Sequence, residues 1–155
     1  MQLGDEYPLN KAVNNSLALL QKWQPWAKDP RIEATRGLVQ RGVFAWESGI
    51  VVDFPMVVIH KEDNKIIAAS GYDDRSDVPQ QLYEIGYWYD VYYQGNGYVT
   101  EYANAITRYA FDALGAAKVV ISMQIEKKYC CGQKTKFYQS RCSREGPTRL
   151  RVRPD

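Results

Sequence analysis

The order of elements written into this 155-residue sequence predicts an α/β fold: two helices, a meander of strands, then strand–helix–strand. Three observations carry that prediction. Apolar residues recur at helical spacing through residues 6–22 and again after Asp29-Pro30. From Phe54 the texture changes to short β-rich runs. At Gly95-Asn96-Gly97 a strand hands over to a strongly periodic helix.

Taken in order, Leu9, Val13, Leu17 and Leu20 line one face of a single helix over 6–22, with Asp5 as its cap. Pro25, in Trp23–Ala27, breaks it. Asp29-Pro30 is a cap and first-turn pair for a second helix that offers Ile32, Leu38, Val39, Val43 and Trp46 for burial. Gly37 and Gly42 weaken that helix, and Gly49 is placed to end it. "FPMVVIHK" and "NKIIAASGY" read as strands joined by a Glu-Asp-Asn hairpin connection, followed by a polar loop over Asp73–Gln81. Leu82–Asp90 is apolar on both faces, the pattern of a central strand. Thr100–Leu114 places Tyr102, Ile106, Tyr109, Ala110 and Leu114 on one side of a helix, and Gly115 sits where a C-terminal glycine belongs. Ala117–Ile125 is the last strand.

The bulk properties narrow the function classes. A hydrophobic fraction of 45% with 13% aromatics indicates a folded domain rather than a disordered chain. No run of about 18 apolar residues occurs, so no membrane-spanning helix is expected. The opening residues lack a basic stretch followed by an apolar core, so no secretory leader is expected either. Residues 1–126 contain no cysteine, which fits a reducing cytoplasmic setting. The net charge of +2 conceals a split. From Lys127 onward nine basic side chains face two acidic ones, a balance of +7, while residues 1–126 carry −5.

The chemistry concentrates at residues 94–99. Gly95 and Gly97 let the backbone adopt positive φ and approach a ligand closely. Amides at a helix start, with the helix dipole behind them, suit a phosphate or pyrophosphate. Asn96-Gly97 taken alone is also a common hairpin turn, but the residues after it follow a helical pattern rather than a strand. Around this junction stand "EIGYW" (84–88), "QGNGYVTE" (94–101), "TRYAFD" (107–112) and Leu114-Gly115. This array resembles the acetyl-CoA-binding core of the GNAT N-acetyltransferase superfamily, in its RimJ/RimL-type branch. The resemblance is dense over Tyr83–Ile125 and looser at "SLALLQKWQPWA".

It implies a GNAT-like fold, a mixed and mainly antiparallel sheet flanked by helices. The expected domain is 1–126, incomplete at the C-terminal end and short at the N-terminal end. It implies acetyl-CoA as cosubstrate, with the backbone of Tyr87, Trp88 and Tyr89 pairing with the pantetheine arm. The amides of Gln94, Gly95, Asn96, Gly97, Tyr98 and Val99 would hold the pyrophosphate. Val99 replaces a glycine or alanine of the family pattern and is expected to crowd that cradle slightly. Glu84 is the candidate general base; it reads equally as a strand carboxylate paired with an arginine or lysine. His60, the one histidine, is expected as a polar surface residue at a strand end. Trp23, Trp26 and Trp46 are expected in core and groove packing. The implied acceptor is a primary amine, first of all a ribosomal-protein-type N-terminus. Polyamines and aminoglycosides are the small-amine alternatives.

The segment 127–155 departs from the family. Its serine-bearing helix and two final strands find no counterpart in "KKYCCGQKTKFYQSRCSREGPTRLRVRPD". Reading the permitted codons of Lys127–Tyr138 one base later allows "KSIAVAKKLNFT", with the family's serine and phenylalanine at their spacing. The tail is therefore expected to be frameshifted and disordered. Cys130-Cys131 and Cys142 fit a zinc site poorly, so no metal is expected, and a disulfide would need an oxidising compartment. A basic nucleic-acid-binding arm, on a catalytically impaired remnant that binds CoA weakly, is the rival reading.

Overall fold

The computed structural model describes residues 1–48 and 53–121, together with the backbone of Leu150–Arg153. Helix α1 is Glu6–Asn15, α2 Leu17–Trp23 and α3 Ile32–Ser48, with a single 3-10 turn at Pro25–Lys28 between the last two. Strands β1 (Phe54–His60), β2 (Lys65–Tyr72) and β3 (Leu82–Tyr89) follow. Helix α4 (Tyr98–Asp112), β4 (Lys118–Ile121) and β5 (Leu150–Arg153) complete the order.

The strands form one sheet in the order β4-β3-β2-β1-β5. β1 and β2 pair antiparallel through the expected hairpin, with a register shift between Val58 and Ile59. β2 and β3 are antiparallel, whereas β3 and β4 are parallel, as a strand–helix–strand crossover requires. The α/β class and the mixed, mainly antiparallel sheet are as read from the sequence. Leu150–Arg153, within the tail expected to be disordered, pair antiparallel with Val57–His60. Their alternation of leucine and valine with arginine has the period of a strand. Residues 122–149, which hold the cysteines and the proposed change of frame, lie outside the described residues, as does Gly49.

Side chains divide the sheet into two packed faces. Val57, Ile59, Ile66 and Ala69 meet Met1 and, from the N-terminal helices, Leu9 and Val39. Met56, Tyr72, Tyr83 and Ile85 meet Ile106 and Ala110 of α4. A second cluster on α4 joins Val58, Ile67 and Ala68 to Tyr102. Tyr72 is fully buried and donates its hydroxyl to the Ile106 carbonyl, tying β2 to α4. α3 runs through both of its glycines. At Gly42 a Cβ would stand 2.8 Å from Pro55 and 2.9 Å from Met1, so the small residue lets helix and strand close up.

Two expectations at the N-terminus are corrected. The helix read over 6–22 is two helices, broken at Ser16. Ser16 is buried because its hydroxyl accepts the Val91 amide at 2.8 Å, a tertiary demand that outweighs the helical pattern. Asp5 does not cap α1 with its side chain; its carboxylate accepts the Gln2 amide at 2.8 Å instead.

Candidate active site

The site is built from the exit of β3. Asp90 follows the strand and is almost fully buried. Its carboxylate accepts the Tyr92 amide at 3.0 Å and the Asn15 side-chain amide at 2.7 Å. Ser16 and Asp90 thus anchor the start of a 3-10 turn, Val91–Tyr93, against the α1–α2 break. Gln94 is extended, then Gly95 and Gly97 take φ of +82° and +79°. The Asn96 side chain donates to the Tyr93 and Gln94 carbonyls at 3.3 and 3.2 Å.

Gly97 is the residue before α4 and brings no capping side chain. Its carbonyl accepts the Glu101 amide at 3.1 Å. The amides of Val99 and Thr100, in the first turn, have no acceptor inside the helix by construction. A Cβ placed on Gly95 or Gly97 would meet nothing within 4 Å. The loop is therefore open at both glycines and presents amide donors at the positive end of a 15-residue helix dipole. Such a cradle fits a pyrophosphate by charge and by room for close backbone approach. The Val99 side chain is partly buried and packs on the Val58–Tyr102 cluster.

Beside this loop lies a cleft of about 1080 Å³. Tyr87, Trp88 and Tyr89 of β3 and Gln94 line it, together with Trp23 and Trp26 from the helical side. Trp26 is 46% exposed and its ring lies 6.0 Å from that of Trp88, so these aromatics form the groove packing expected of them. Trp46 lies in the core, against Phe54 and Tyr109, and donates its ring N–H to the Pro55 carbonyl. The β3–β4 pairing runs from Leu82 to Ile85, and among the described residues Gly86–Tyr89 continue beyond it. Tyr87–Tyr89 thus lie along the cleft beside the glycine loop.

Glu84 is buried at 8% exposure and does not line the cleft; Arg75 does. The Arg75 guanidinium stands 2.9 Å from Glu84 Oε1 and also binds Asp73. The contact to Glu84 is an ion pair rather than a well-aligned hydrogen bond, since Oε1 lacks a partner by hydrogen-bond geometry. The hydrogen bonds that Arg75 donates to the Asp73 carboxylate, ahead of the Coulombic attraction, raise the Arg75 pKa further. The Glu84 backbone amide donates to Ser76 Oγ at 2.9 Å, fixing the loop that carries Arg75. The alternative reading of Glu84, a strand carboxylate paired with arginine, thus describes its surroundings.

His60 is not a surface residue. It does end β1, but it is 7% exposed. Nδ1 lies 2.7 Å from Asp63 Oδ1 and Nε2 2.9 Å from the Tyr98 hydroxyl. The expectation failed because Tyr98, 38 residues away, supplies the polar partner that burial requires. Desolvation acts to raise the Asp63 carboxyl, but hydrogen bonds from Tyr93, His60 and Lys65 outweigh it and hold it well below the usual carboxylate range. Tyr93 is pushed up to about 12, by loss of hydration first and by its bond to Asp63 second.

Among the described residues, no helix is long and apolar enough to cross a membrane, and no group of three or more His, Cys, Asp or Glu side chains is placed to hold a metal. A strand that ends at a glycine-bracketed helix start, beside an aromatic cleft, defines a site for a phosphate-bearing cosubstrate and a second substrate. Residues 5–128 match the family model described as the acetyltransferase (GNAT) domain, and the chain belongs to that family.

Solved structures similar to it share its fold at low identity. The microcin C7 self-immunity acetyltransferase MccE, in complex with acetyl-CoA and AMP, is 19% identical with a TM-score of 0.69, over 79% of this chain and 66% of that one. RimL, the ribosomal L7/L12 α-N-protein acetyltransferase, in complex with coenzyme A, is 20% identical with a TM-score of 0.69, over 83% and 70%. The ribosomal-protein-S5-alanine acetyltransferase from Vibrio fischeri is 21% identical with a TM-score of 0.66, over 78% and 66%. The chain therefore spans about two thirds of the length of these proteins. No curated protein matches the sequence.

Proposed function

We propose that this protein is an acetyl-CoA-dependent N-acetyltransferase of the cytoplasm whose acceptor is a primary amine, in the first place a protein N-terminus of the ribosomal-protein type. One observation carries the reading: the open, Cβ-free cradle at Gly95 and Gly97 opens α4 directly beside the β3 segment that lines the cleft. The family match supports acetyl transfer. The likeness to proteins named for ribosomal L7/L12 and ribosomal-protein S5 supports the N-terminal acceptor.

Bound acetyl-CoA supplies a thioester, whose acyl carbon forms a C–N bond to the amine as the C–S bond breaks. The chain's own residues do the rest. The amides of Gly95 to Val99 hold the pyrophosphate, the Gln94 amide being engaged by the Val91 carbonyl at 3.3 Å, and the backbone of Tyr87 to Tyr89 pairs with the pantetheine arm. Trp23, Trp26 and Trp88 exclude water from the cleft and seat the acceptor. The amine must lose one proton and the departing sulfur must gain one. Glu84 is the proposed base; its ion pair with Arg75 favours a second reading, in which it only positions Arg75 on the cleft wall.

Calorimetric titration with acetyl-CoA, followed by thiol release with N-terminal peptides, spermidine and an aminoglycoside as acceptors, tests the function. Absence of acetyl-CoA binding overturns it, and turnover of small amines alone overturns the N-terminal acceptor. Glu84→Gln separates the two roles. As base, Glu84 is worth a fall in kcat of about 100-fold or more at unchanged KM; as a structural partner, its loss lowers Tm with kcat little changed.

A further inference from the structure

The residues at either end of the glycine loop reach back to the same hairpin. Tyr93 closes the 3-10 turn before the loop, and Tyr98 opens α4 after it. The Tyr93 hydroxyl donates to Asp63 Oδ2 at 2.8 Å. The Tyr98 hydroxyl meets His60 Nε2 at 2.9 Å, and His60 Nδ1 meets Asp63 Oδ1 at 2.7 Å. Lys65 adds an ion pair to Asp63 at 3.3 Å. The three rings pack tilted and edge-on to one another, His60 lying 5.5 Å from Tyr93 and 5.2 Å from Tyr98. An acceptor-only carboxylate at Nδ1 assigns the proton to that nitrogen in the neutral ring. Nε2 is then left to accept the Tyr98 O–H.

Four residues, Gln94 to Gly97, span the gap between the two tyrosines, and two of them are glycines in the left-handed region. Unrestrained, such a segment has many conformations, and ordering it around a ligand opposes binding. Fixing both ends in advance removes part of that cost. None of the four clasp residues lines the cleft, and neither His60 nor Asp63 belongs to the loop.

We propose that Asp63, His60, Tyr93 and Tyr98 form a clasp that preorganises the cofactor loop, making His60 and Asp63 positioning residues for acetyl-CoA binding. This rests on the assignment of the pyrophosphate to Gly95–Val99. The clasp joins the β1–β2 turn to the start of α4 and acts on affinity for the cosubstrate rather than on the chemical step.

The test uses variants that each remove one oxygen, Tyr93→Phe and Tyr98→Phe, with Tyr72→Phe as a control for the loss of a buried hydroxyl far from the loop. Each clasp variant raises the Kd for acetyl-CoA about five- to tenfold, while Tyr72→Phe leaves it within about twofold. The KM for acetyl-CoA rises in parallel and kcat holds. The double variant falls short of the product of the singles, as coupled groups do. Because His60 is the one histidine in the chain, its imidazole nitrogens report the network directly by NMR. Nδ1 carries the proton, and Tyr98→Phe shifts Nε2 alone. Wild-type binding with unaltered affinity in both variants, or a proton on Nε2 in the neutral ring, overturns the clasp. No binding by the wild type overturns the cofactor assignment itself and the clasp's role with it.

Discussion

Gly97→Ala separates what a glycine does for the backbone from what it does for a ligand. Gly97 and Gly115 share the same local problem at opposite ends of α4: φ is +79° at one and +68° at the other, and a Cβ meets nothing within 4 Å at either. Alanine at each position therefore incurs only the left-handed strain, about 1–2 kcal/mol. For a chain of this length that corresponds to a fall in Tm of about 2–8 °C, alike for both variants. Binding distinguishes them. Fifteen helical residues span about 22 Å, which puts Gly115 far from the cradle. At Gly97 the added methyl would occupy the open space through which, in the proposed site, a phosphate oxygen approaches the amides. Losing one hydrogen bond to a charged oxygen is worth about 1.5–3 kcal/mol, or roughly 10- to 100-fold in Kd. Calorimetric titration with acetyl-CoA and thermal unfolding of both variants make the measurement. Equal affinities for Gly97→Ala and Gly115→Ala, at equal Tm, would show that no phosphate is held at the start of α4.

Two further outcomes follow from the packing and the charges. Tyr72→Phe removes the hydroxyl that β2 donates to the Ile106 carbonyl in the core. It lowers stability by about 1–2 kcal/mol, seen as a lower urea midpoint at unchanged m-value; an unchanged midpoint refutes it. Asp63 has its carboxyl pKa depressed in the folded state, so its contribution to stability is full above the unfolded value of about 4 and is lost as pH falls toward the folded value. Asp63→Asn accordingly flattens the acid limb of a Tm-versus-pH curve below about pH 4.5, and an acid limb parallel to the wild type's contradicts the assignment.

The parts of the fold legible in the sequence are those with local causes. The β1–β2 hairpin, α4 with Gly115 behind it, and the existence of strand β4 are all visible in side-chain periodicity and turn chemistry. The break at Ser16 is not, because a single helix fits the apolar spacing of 6–22. The break exists to hand the Ser16 hydroxyl to the amide of Val91, 75 residues away. His60 was misplaced on the surface for the same reason. Its own neighbours mark a strand end, and only the fold brings Tyr98 to it. The His60 and Asp63 spacing, three residues across a strand end and a turn, was a signal that local reading passed over.

The same division separates cosubstrate from acceptor. A pyrophosphate is held by backbone amides at a helix start, and the residues that shape such a backbone, Gly95 and Gly97, are contiguous and recognisable in a single stretch. The cleft proposed for the acceptor is lined by Trp23, Trp26, Arg75 and Trp88, drawn from a helix, a 3-10 turn, a loop and a strand. No spacing along the chain encodes that assembly. Glu84 stands between the two cases: its strand position was readable, but Arg75 reaches it from a polar loop, and that contact decides whether its carboxylate is available to an amine. Recognition of a pyrophosphate-bearing cosubstrate, as proposed, is thus a local property of this chain, whereas the choice of amine is a tertiary one. Exchanging side chains on the Trp23–Trp26 wall should therefore change which amine is acetylated while leaving the affinity for acetyl-CoA in place.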